Sequence, residues 1–447
     1  MSATAQPAAR FTQGSTLRHV IIMTLTSAIG LMTMFGADLA DLYYLSLLGN
    51  TDVTAAIGFA GVLSFANLSL SLGNGIAASA LVSRSLGAGD PARARSFATS
   101  TLTFTILVSA AYTLLIVLFA REILTVLGAR GEALNLALSY VYILTPGFIL
   151  LATAVNCAFA LRGKGDAFSA MWVTLGSALA TVFLDPIFIF WLGLGIKGAA
   201  LAHICANVIS LAFGLYGIAF KHRFIGPFRL SDFKKDFPSI WAISFPAMLT
   251  QLATPFTVAY TTWVVAPFGE EAVAANAIIG RIVPVAFGII FALSGAVGPI
   301  IGQNFGARNF DRVRRALKDG LGFAVVYTVI TSFILYLLSD KIASAFMASG
   351  RTHELIVYFC TFIAISWAFM GAQFVAQAAF NNLGRPALST WFNWGKATLG
   401  TIPFALAGSR LGNVEGIMVG TAIGSVIFGI AAVAWAFRIT NELEQEG

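Results

Sequence analysis

The sequence predicts an all-α polytopic membrane protein whose twelve transmembrane helices form two six-helix lobes related by pseudo-two-fold symmetry. Composition, the number of long apolar runs and an internal repeat support this prediction. Of the 447 residues, 58% are hydrophobic and 11% are charged, whereas soluble domains contain about 25% charged residues. The 43 glycines and 38 phenylalanines suit membrane helices that pack closely on small residues.

Twelve apolar runs are long enough to cross a bilayer, which takes about 20 residues. They span 17–48, 54–82, 98–120, 134–161, 167–191, 198–220, 238–266, 272–303, 320–338, 354–382, 387–407 and 415–437. Several are longer than a straight crossing requires, so we expect those helices to tilt, bend or project beyond the bilayer.

The positive charges orient the chain. With the N-terminus inside, 19 of the 27 Lys and Arg residues fall in cytoplasmic connections and tails, six fall outside, and Arg281 and Lys396 lie within apolar runs. The positive-inside rule requires this bias. We therefore expect a multi-pass protein of the cell inner (plasma) membrane with both termini in the cytoplasm. Topology alone explains the basic loops, so no nucleic-acid partner is expected.

An internal repeat divides the chain into halves. The segment SLGAGDPARAR (85–95) resembles NFGARNFDRVR (304–314), and LRGKGDA (161–167) resembles NNLGRPA (381–387). Both matches have an offset of 219 positions. Each half holds six apolar runs, so the second half starts on the same side of the membrane as the first. The halves should then be related by an axis along the membrane normal, with a central cavity between them.

The repeat sets the predicted domain organisation. Residues 1–220 form an N-terminal six-helix lobe, residues 221–237 a polar cytoplasmic linker, and residues 238–447 a C-terminal six-helix lobe.

Two acids lie in the first apolar run, in the stretch MTMFGADLADLYYLSLLG (32–49). A carboxylate inside a bilayer costs at least ~2.5 kcal/mol. Asp38 and Asp41 are three residues apart, which on a helix places them about 60° apart, so at most one points squarely into a shared cavity. The alternative is that both cap a helix or meet solvent near the membrane surface. Asp41 is the deeper of the two and the preferred functional acid.

A third acid, Asp185, lies in the fifth run within TVFLDPIFIFW. Pro186 has no N–H, so the Val182 carbonyl loses its helical partner and the helix should bend beside the acid. The alternative is a kink with a locally bonded acid that has no part in transport.

These motifs resemble those of multidrug and toxic compound extrusion (MATE) transporters over nearly the whole chain. The residues that carry the resemblance are Asp41 with Gly49, GAGD (87–90) with Arg93 and Arg95, LRG (161–163) with Gly165 and Asp166, LDP (184–186), and GQ (302–303) with GAR (306–308).

The resemblance implies two six-helix lobes in a V, and export of organic cations and other amphipathic compounds in exchange for H⁺ or Na⁺. It places the first-helix acid and the LDP acid together in the N-lobe cavity, which assigns proton coupling to Asp41 and Asp185.

Two departures from the family pattern concern the coupling ion. Relatives with an N-lobe cation site commonly have Asn where this chain has Thr181, and Thr where it has His203. Sodium prefers hard oxygen ligands, and an imidazole is a natural proton carrier. The pattern favours protons and adds His203 to the coupling residues. The alternative for His203 is a buried neutral side chain bonded to nearby backbone.

The C-lobe lacks the acids that sodium-coupled relatives of the NorM type carry in the seventh and tenth spans. Thr254 and Met370 stand at or near those positions, a pattern that resembles the DinF branch of the family. Arg281 and Lys396 lie within spans, where long basic side chains can reach toward the interface. The predicted substrate cavity is lined by Asp38, Asn156, Thr181, Asn207, Thr254 and Met370.

The function predicted from the sequence is a multidrug efflux antiporter that exchanges amphipathic, mostly cationic compounds for protons. The alternatives are a sodium-coupled drug antiporter and a lipid-linked oligosaccharide flippase of the same superfamily. The chain has no paired histidines, Gly-x-Ser-x-Gly or Cys/His centre, so no enzyme, cofactor or metal site is predicted. The expected partners are small amphipathic molecules, H⁺ (or Na⁺) and the lipid bilayer, and the expected state is a monomer.

Overall fold

The structure is a computed structural model that describes residues 9–48, 51–410 and 413–446, with backbone only at residues 42, 46 and 51. Within those ranges the chain is helical and contains no strand. The helices are α1 (Thr16–Ser46), α2 (Thr51–Gly87), α3 (Pro91–Val126), α4 (Gly131–Lys164), α5 (Ala167–Pro186), α6 (Ile196–Leu215), α7 (Leu230–Val265), α8 (Glu270–Gly306), α9 (Phe310–Ala345), α10 (Gly350–Tyr358), α11 (Trp367–Asn382), α12 (Pro386–Gly395), α13 (Ile402–Arg410) and α14 (Val414–Gln445).

Short π-helical and 3₁₀ turns extend or join several of these helices. The π-helical turns are Ile187–Trp191, Tyr216–Lys221, Phe359–Ile363 and Lys396–Gly400. The third of these, together with a 3₁₀ turn, joins α10 to α11, and the fourth joins α12 to α13. The described residues thus form twelve long helical segments, two of which are interrupted.

Ten segments of the described chain are long and apolar enough to cross a membrane by length and composition. The other two are α7, whose many Ser, Thr and Pro residues reduce its mean hydropathy, and the interrupted pair α12–α13. Each predicted apolar run overlaps one segment. The segments extend past the runs at their charged ends: α9 covers Phe310–Ala345, whereas the apolar run covers 320–338. Charged residues can continue a helix into water, so hydropathy alone underestimates helix length.

The internal repeat is visible in the backbone. Positive φ angles recur 219 positions apart in four pairs: Gly89 and Arg308, Gly128 and Met347, Gly131 and Gly350, and Gly165 and Gly384. Two helix caps follow the same offset. The Asp90 carboxylate accepts a hydrogen bond from the Arg93 amide at 2.8 Å, and the Asn309 side chain accepts one from the Arg312 amide at 3.2 Å. The two halves therefore end and restart their helices in the same way.

The described chain forms two compact units. The N-terminal unit comprises residues 29–86 and 90–248, and the C-terminal unit comprises the chain up to residue 28, residues 87–89 and the chain from residue 249. The early part of α1 thus belongs to the C-terminal unit and the early part of α7 to the N-terminal unit. The predicted lobe boundaries, 1–220 and 238–447, stay a prediction.

Asp166 fastens the start of α5 to the segment that follows α6. Its carboxylate caps α5 through the Ser169 amide at 3.0 Å and bonds Lys221 Nζ at 2.8 Å and His222 Nε2 at 2.7 Å. Burial raises the pKa of Asp166, but the hydrogen bonds from His222, Lys221 and Ser169 outweigh it and hold that pKa well below its usual range. The ionised carboxylate is therefore the form that the fold stabilises.

We expect Asp166→Asn to lower the melting temperature at pH 7, with a loss of about 1–2 kcal/mol of unfolding free energy, because asparagine keeps the helix cap but loses the ion pair with Lys221 and the carboxylate's hydrogen bond with His222. An acid whose pKa falls on folding stabilises the protein above its unfolded pKa, about 3.9, and loses that contribution as the pH falls toward the folded pKa. The difference in melting temperature between wild type and variant should therefore become smaller below about pH 4. Asp90→Asn, an exposed cap without a described ion pair, is the matched control. A difference in melting temperature that does not change with pH would show that the charge of Asp166 does not stabilise the fold.

Candidate transport site

The N-terminal unit brings together the three residues predicted to couple protons. Asp41 lies on α1, Asp185 near the end of α5 and His203 on α6. The His203 Nε2 atom is 3.6 Å from Asp41 Oδ2, and Asp185 interacts electrostatically with both. Asp185 is fully buried, Asp41 is buried and His203 is half-buried. A compact acid–histidine cluster thus lies inside a membrane-spanning unit.

The sequence next to Asp185 explains the backbone geometry at the end of α5. Pro186 is the last residue of α5, and the π-helical turn Ile187–Trp191 follows at once. A π-turn within a helix takes up the extra backbone length where the regular hydrogen-bond pattern is broken. Asp185 therefore stands at the point where the helix changes its geometry.

Neither carboxylate oxygen of Asp185 accepts a conventional hydrogen bond from the described residues. The Oδ1 atom of Asp41 accepts none from them either. Buried polar groups are almost always hydrogen-bonded, and a buried ionised carboxylate without a partner is costly. Two neighbouring carboxylates also disfavour double ionisation. The cluster therefore has the chemistry to accept a proton or another cation.

Asp38 and Asp41 differ in environment although they share one helix. Asp41 is buried, whereas Asp38, about one turn earlier, is exposed. Asp38 still lies within electrostatic reach of His203. Gly49, eight positions after Asp41, lies outside the described residues.

Tyr140 on α4 belongs to the cluster and was missed by the sequence analysis. Its side chain is buried and interacts electrostatically with Asp41, Asp185 and Asp38. The sequence contained one signal, a pair of tyrosines in the apolar run of α4, but did not show which faced inward. In the structure Tyr140 is 5% exposed and Tyr142 is 47% exposed.

Two of the predicted cavity residues join helices within the N-terminal unit. The Asn156 amide donates to Thr105 Oγ1 at 2.9 Å, which ties α4 to α3. The Asn207 amide donates to the Gly147 carbonyl at 3.3 Å, which ties α6 to α4. Thr181 is buried one turn before Asp185 on α5, so its hydroxyl lies on the same face of that helix.

The predicted C-terminal positions have different surroundings. Thr254 on α7 is exposed, and Met370 on α11 is half-buried. The Met370 sulfur lies 2.9 Å from Lys396 Nζ, at the start of the π-helical turn between α12 and α13. Arg281 on α8 is exposed. The C-terminal unit therefore carries cations in its membrane-spanning segments, whereas the N-terminal unit carries the acid–histidine cluster.

Comparison with known proteins identifies the family. The MatE family model matches residues 26–187 and 246–406, and the chain belongs to this family of transporters, which are not enzymes. The predicted family resemblance is thus confirmed. The chain is 28% identical over 433 residues to a FAD transporter of Shewanella oneidensis, covering 96% of each chain. It is 27% identical over 445 residues to the multidrug export protein MepA of Staphylococcus aureus, covering 97% of this chain and 92% of MepA.

A solved structure supports the same fold. A mutant of the Vibrio cholerae MATE transporter VcmN has a TM-score of 0.90 with this chain at 22% identity, covering 95% of this chain and 96% of that one. MATE structures of this kind are twelve-helix, two-lobe transporters. The predicted fold class, an all-α polytopic membrane protein of twelve transmembrane helices, is confirmed.

Proposed function

We propose that this chain is a secondary active antiporter that exports amphipathic, mostly cationic organic compounds in exchange for protons. The observation that carries the proposal is the cluster of Asp41, Asp185 and His203 within a membrane-spanning unit. Ionisable residues at such depth usually mark an ion or proton pathway. Membership of the MatE family and the likeness to a multidrug export protein support export of organic compounds.

The charges of the cluster explain how protons and an organic cation exchange. With both acids ionised and His203 neutral, the cluster carries two negative charges and attracts a cation. One added proton, on a carboxylate or on the imidazole, reduces the net negative charge of the cluster by one. Because charges attract strongly where water is excluded, proton binding weakens the hold on the cation. By linkage, the bound cation weakens proton binding by the same factor, and exchange requires this mutual weakening.

The same cluster favours a proton over sodium. The carboxylates of Asp41 and Asp185 and the Thr181 hydroxyl offer the hard oxygens that sodium prefers. His203 lies against Asp41, however, and an imidazole is a poor sodium ligand that becomes a cation itself when protonated. Sodium coupling is the alternative, and the experiment below distinguishes it from proton coupling.

A second candidate is export of a flavin nucleotide, the cargo named for the Shewanella oneidensis relative. The observation that favours it is Lys396, a cation in a membrane-spanning segment that no acid among the described residues neutralises. A lipid-linked oligosaccharide flippase remains a further alternative, which a lipid-flipping assay separates from drug export.

We also propose that the protein works as a monomer in the cell inner (plasma) membrane, with both termini in the cytoplasm. The placement of 19 of its 27 Lys and Arg residues in the connections and tails assigned to the cytoplasm supports this orientation.

The test is transport of a monovalent cationic dye in proteoliposomes, with sodium varied against choline. One proton moving down about 150 mV supplies about 3.5 kcal/mol, but a monovalent cation leaving in one-for-one exchange cancels that electrical gain. We therefore expect export to follow the pH difference, to survive collapse of the potential and to be indifferent to sodium. Export that stops when the potential alone is collapsed would exclude one-for-one exchange, and export that requires sodium would exclude proton coupling.

A further inference from the structure

Lys396 lies within a membrane-spanning segment and has no counter-ion among the residues that the structure describes. Its ammonium contacts the Met370 sulfur at 2.9 Å. No acidic side chain among the described residues pairs with it or lies within electrostatic reach. An ammonium has three N–H donors, and a thioether is a weak acceptor. The contact with Met370 therefore leaves most of the hydrogen-bonding capacity of Lys396 unused.

The position of Lys396 makes escape to water difficult. It lies ten residues after Pro386, where α12 begins, so it stands about 15 Å along the helix axis. That is about half of the ~30 Å hydrocarbon thickness. Long basic side chains snorkel to the interface most readily from near the ends of a membrane-spanning segment. A charge held at this depth usually serves a function.

An aromatic cluster lies on the α11 face that presents Met370. Trp367, Met370 and Phe374 are spaced at i, i+3 and i+7, which places them on one side of the helix. The Trp367 ring stacks on Phe287 of α8, with centroids 5.0 Å apart and planes 6° apart. Phe291 contacts both Trp367 and Phe374, at 5.8 and 5.6 Å. Phe291, Trp367 and Phe374 are each half-buried, so part of their ring surface is left for a planar aromatic ligand.

Besides Lys396, a second hydrogen-bond donor lies on α11, and it has no described partner. Gln377 is 6% exposed, and its amide nitrogen has no hydrogen-bond partner among the described residues. It follows Met370 by seven positions, so it shares that face about 10 Å further along the axis. A buried donor without a partner is rare in folded proteins and suits a ligand that supplies an acceptor.

We propose that Lys396 forms an anion subsite in the C-terminal unit, which binds the anionic group, such as a phosphate, of a planar aromatic substrate. The rings of the substrate pack against the Trp367–Phe374 face of α11, and the Lys396 ammonium donates to the anion. The inference deepens the second candidate function, export of a flavin nucleotide, by naming the site that would hold its anionic group, and it rests on that function only for export, not for binding.

Riboflavin and flavin mononucleotide test the subsite, because they share one ring system and differ by a single phosphate. Dissociation constants are measured on the purified full-length protein in nanodiscs, without any gradient. Wild type should bind the phosphorylated flavin about 10-fold to 100-fold more tightly than riboflavin, since charge-assisted hydrogen bonds are the stronger class. Lys396→Met should abolish that preference and leave riboflavin affinity unchanged. Lys396→Arg should retain it.

Lys341→Met is the matched control, because Lys341 is an exposed lysine near the end of α9 and its loss changes the net charge equally. This control should keep the preference. A wild type that binds neither flavin, or both equally, would overturn the proposal, as would a Lys396→Met variant that keeps the preference. If Lys396→Met does not fold, the wild-type comparison and Lys396→Gln decide the question. Because no gradient is used, failure here leaves proton coupling at Asp41 untouched, and the reverse also holds.

Discussion

Asp41→Asn is expected to abolish efflux driven by a pH gradient, with a fall of at least about 100-fold in rate, while the protein stays folded. Asparagine has nearly the shape of aspartate but cannot exchange a proton. Asp41 is the cluster member that contacts His203, at 3.6 Å, and interacts with Asp185. Without its charge the cluster keeps one acid and loses half of its attraction for a cation.

Folding should survive because the substitution removes a buried charge rather than a packing group. It also relieves the repulsion between two neighbouring carboxylates. The melting temperature should be unchanged or higher.

The measurement is dye efflux from proteoliposomes under an imposed pH gradient, beside thermal unfolding. Asp90→Asn is the control, because Asp90 is an exposed acid outside the cluster, and its effect should be much smaller. Wild-type rates in Asp41→Asn would remove this acid from the coupling mechanism.

Wild-type export should be indifferent to sodium, and His203→Thr should acquire a sodium response. Threonine replaces a group that repels cations when protonated with a hydroxyl oxygen, next to the Asp41 carboxylate. The Thr181 hydroxyl, one turn before Asp185 on α5, adds a further oxygen. A set of carboxylate and hydroxyl oxygens is the environment that a hard cation prefers.

The experiment varies sodium against choline at fixed pH, in wild type and in His203→Thr. His353→Thr is the control, because that half-buried histidine lies on α10, near Asp340 at the end of α9. Clear sodium stimulation of wild type would show that the histidine does not exclude the ion. An unresponsive His203→Thr would show that its hydroxyl alone does not build a sodium site.

Much of the fold could be predicted because the membrane restricts the choices. Apolar runs of sufficient length located all twelve segments, and the repeat at 219 positions predicted that both halves would turn alike. The interruptions were harder to predict. Pro186 predicted the irregularity beside Asp185. The π-turn that begins at Lys396 has a comparable signal in Gly400 and Pro403, which the sequence analysis did not use.

The acids of the site could be predicted because charge is rare in such runs. The partners of those acids could not, because they depend on which helices pack together and which way each side chain points. Tyr140 and Tyr142 look alike in the sequence, and only the packing of α4 separates them. Asn156, which was predicted to line a cavity, hydrogen-bonds to α3 through its amide, and the sequence alone did not identify that partner. Lys396 was noticed as a cation, but its contact with Met370 required the structure.

The paired left-handed turns bear on how this chain arose and how it can still change. Arg308 and Met347 adopt positive φ angles where the first half has Gly89 and Gly128, so the turns are kept even with side chains that tolerate them poorly. The helix interiors have diverged instead: 219 positions after Asp41 and Asp185 stand Tyr260 and Phe404. This is the signature of a duplicated gene whose copies retained a common frame. On the proposed assignment, with ion coupling in the N-terminal unit and anion binding in the C-terminal unit, new cargo specificity can evolve in one copy without disturbing ion coupling in the other.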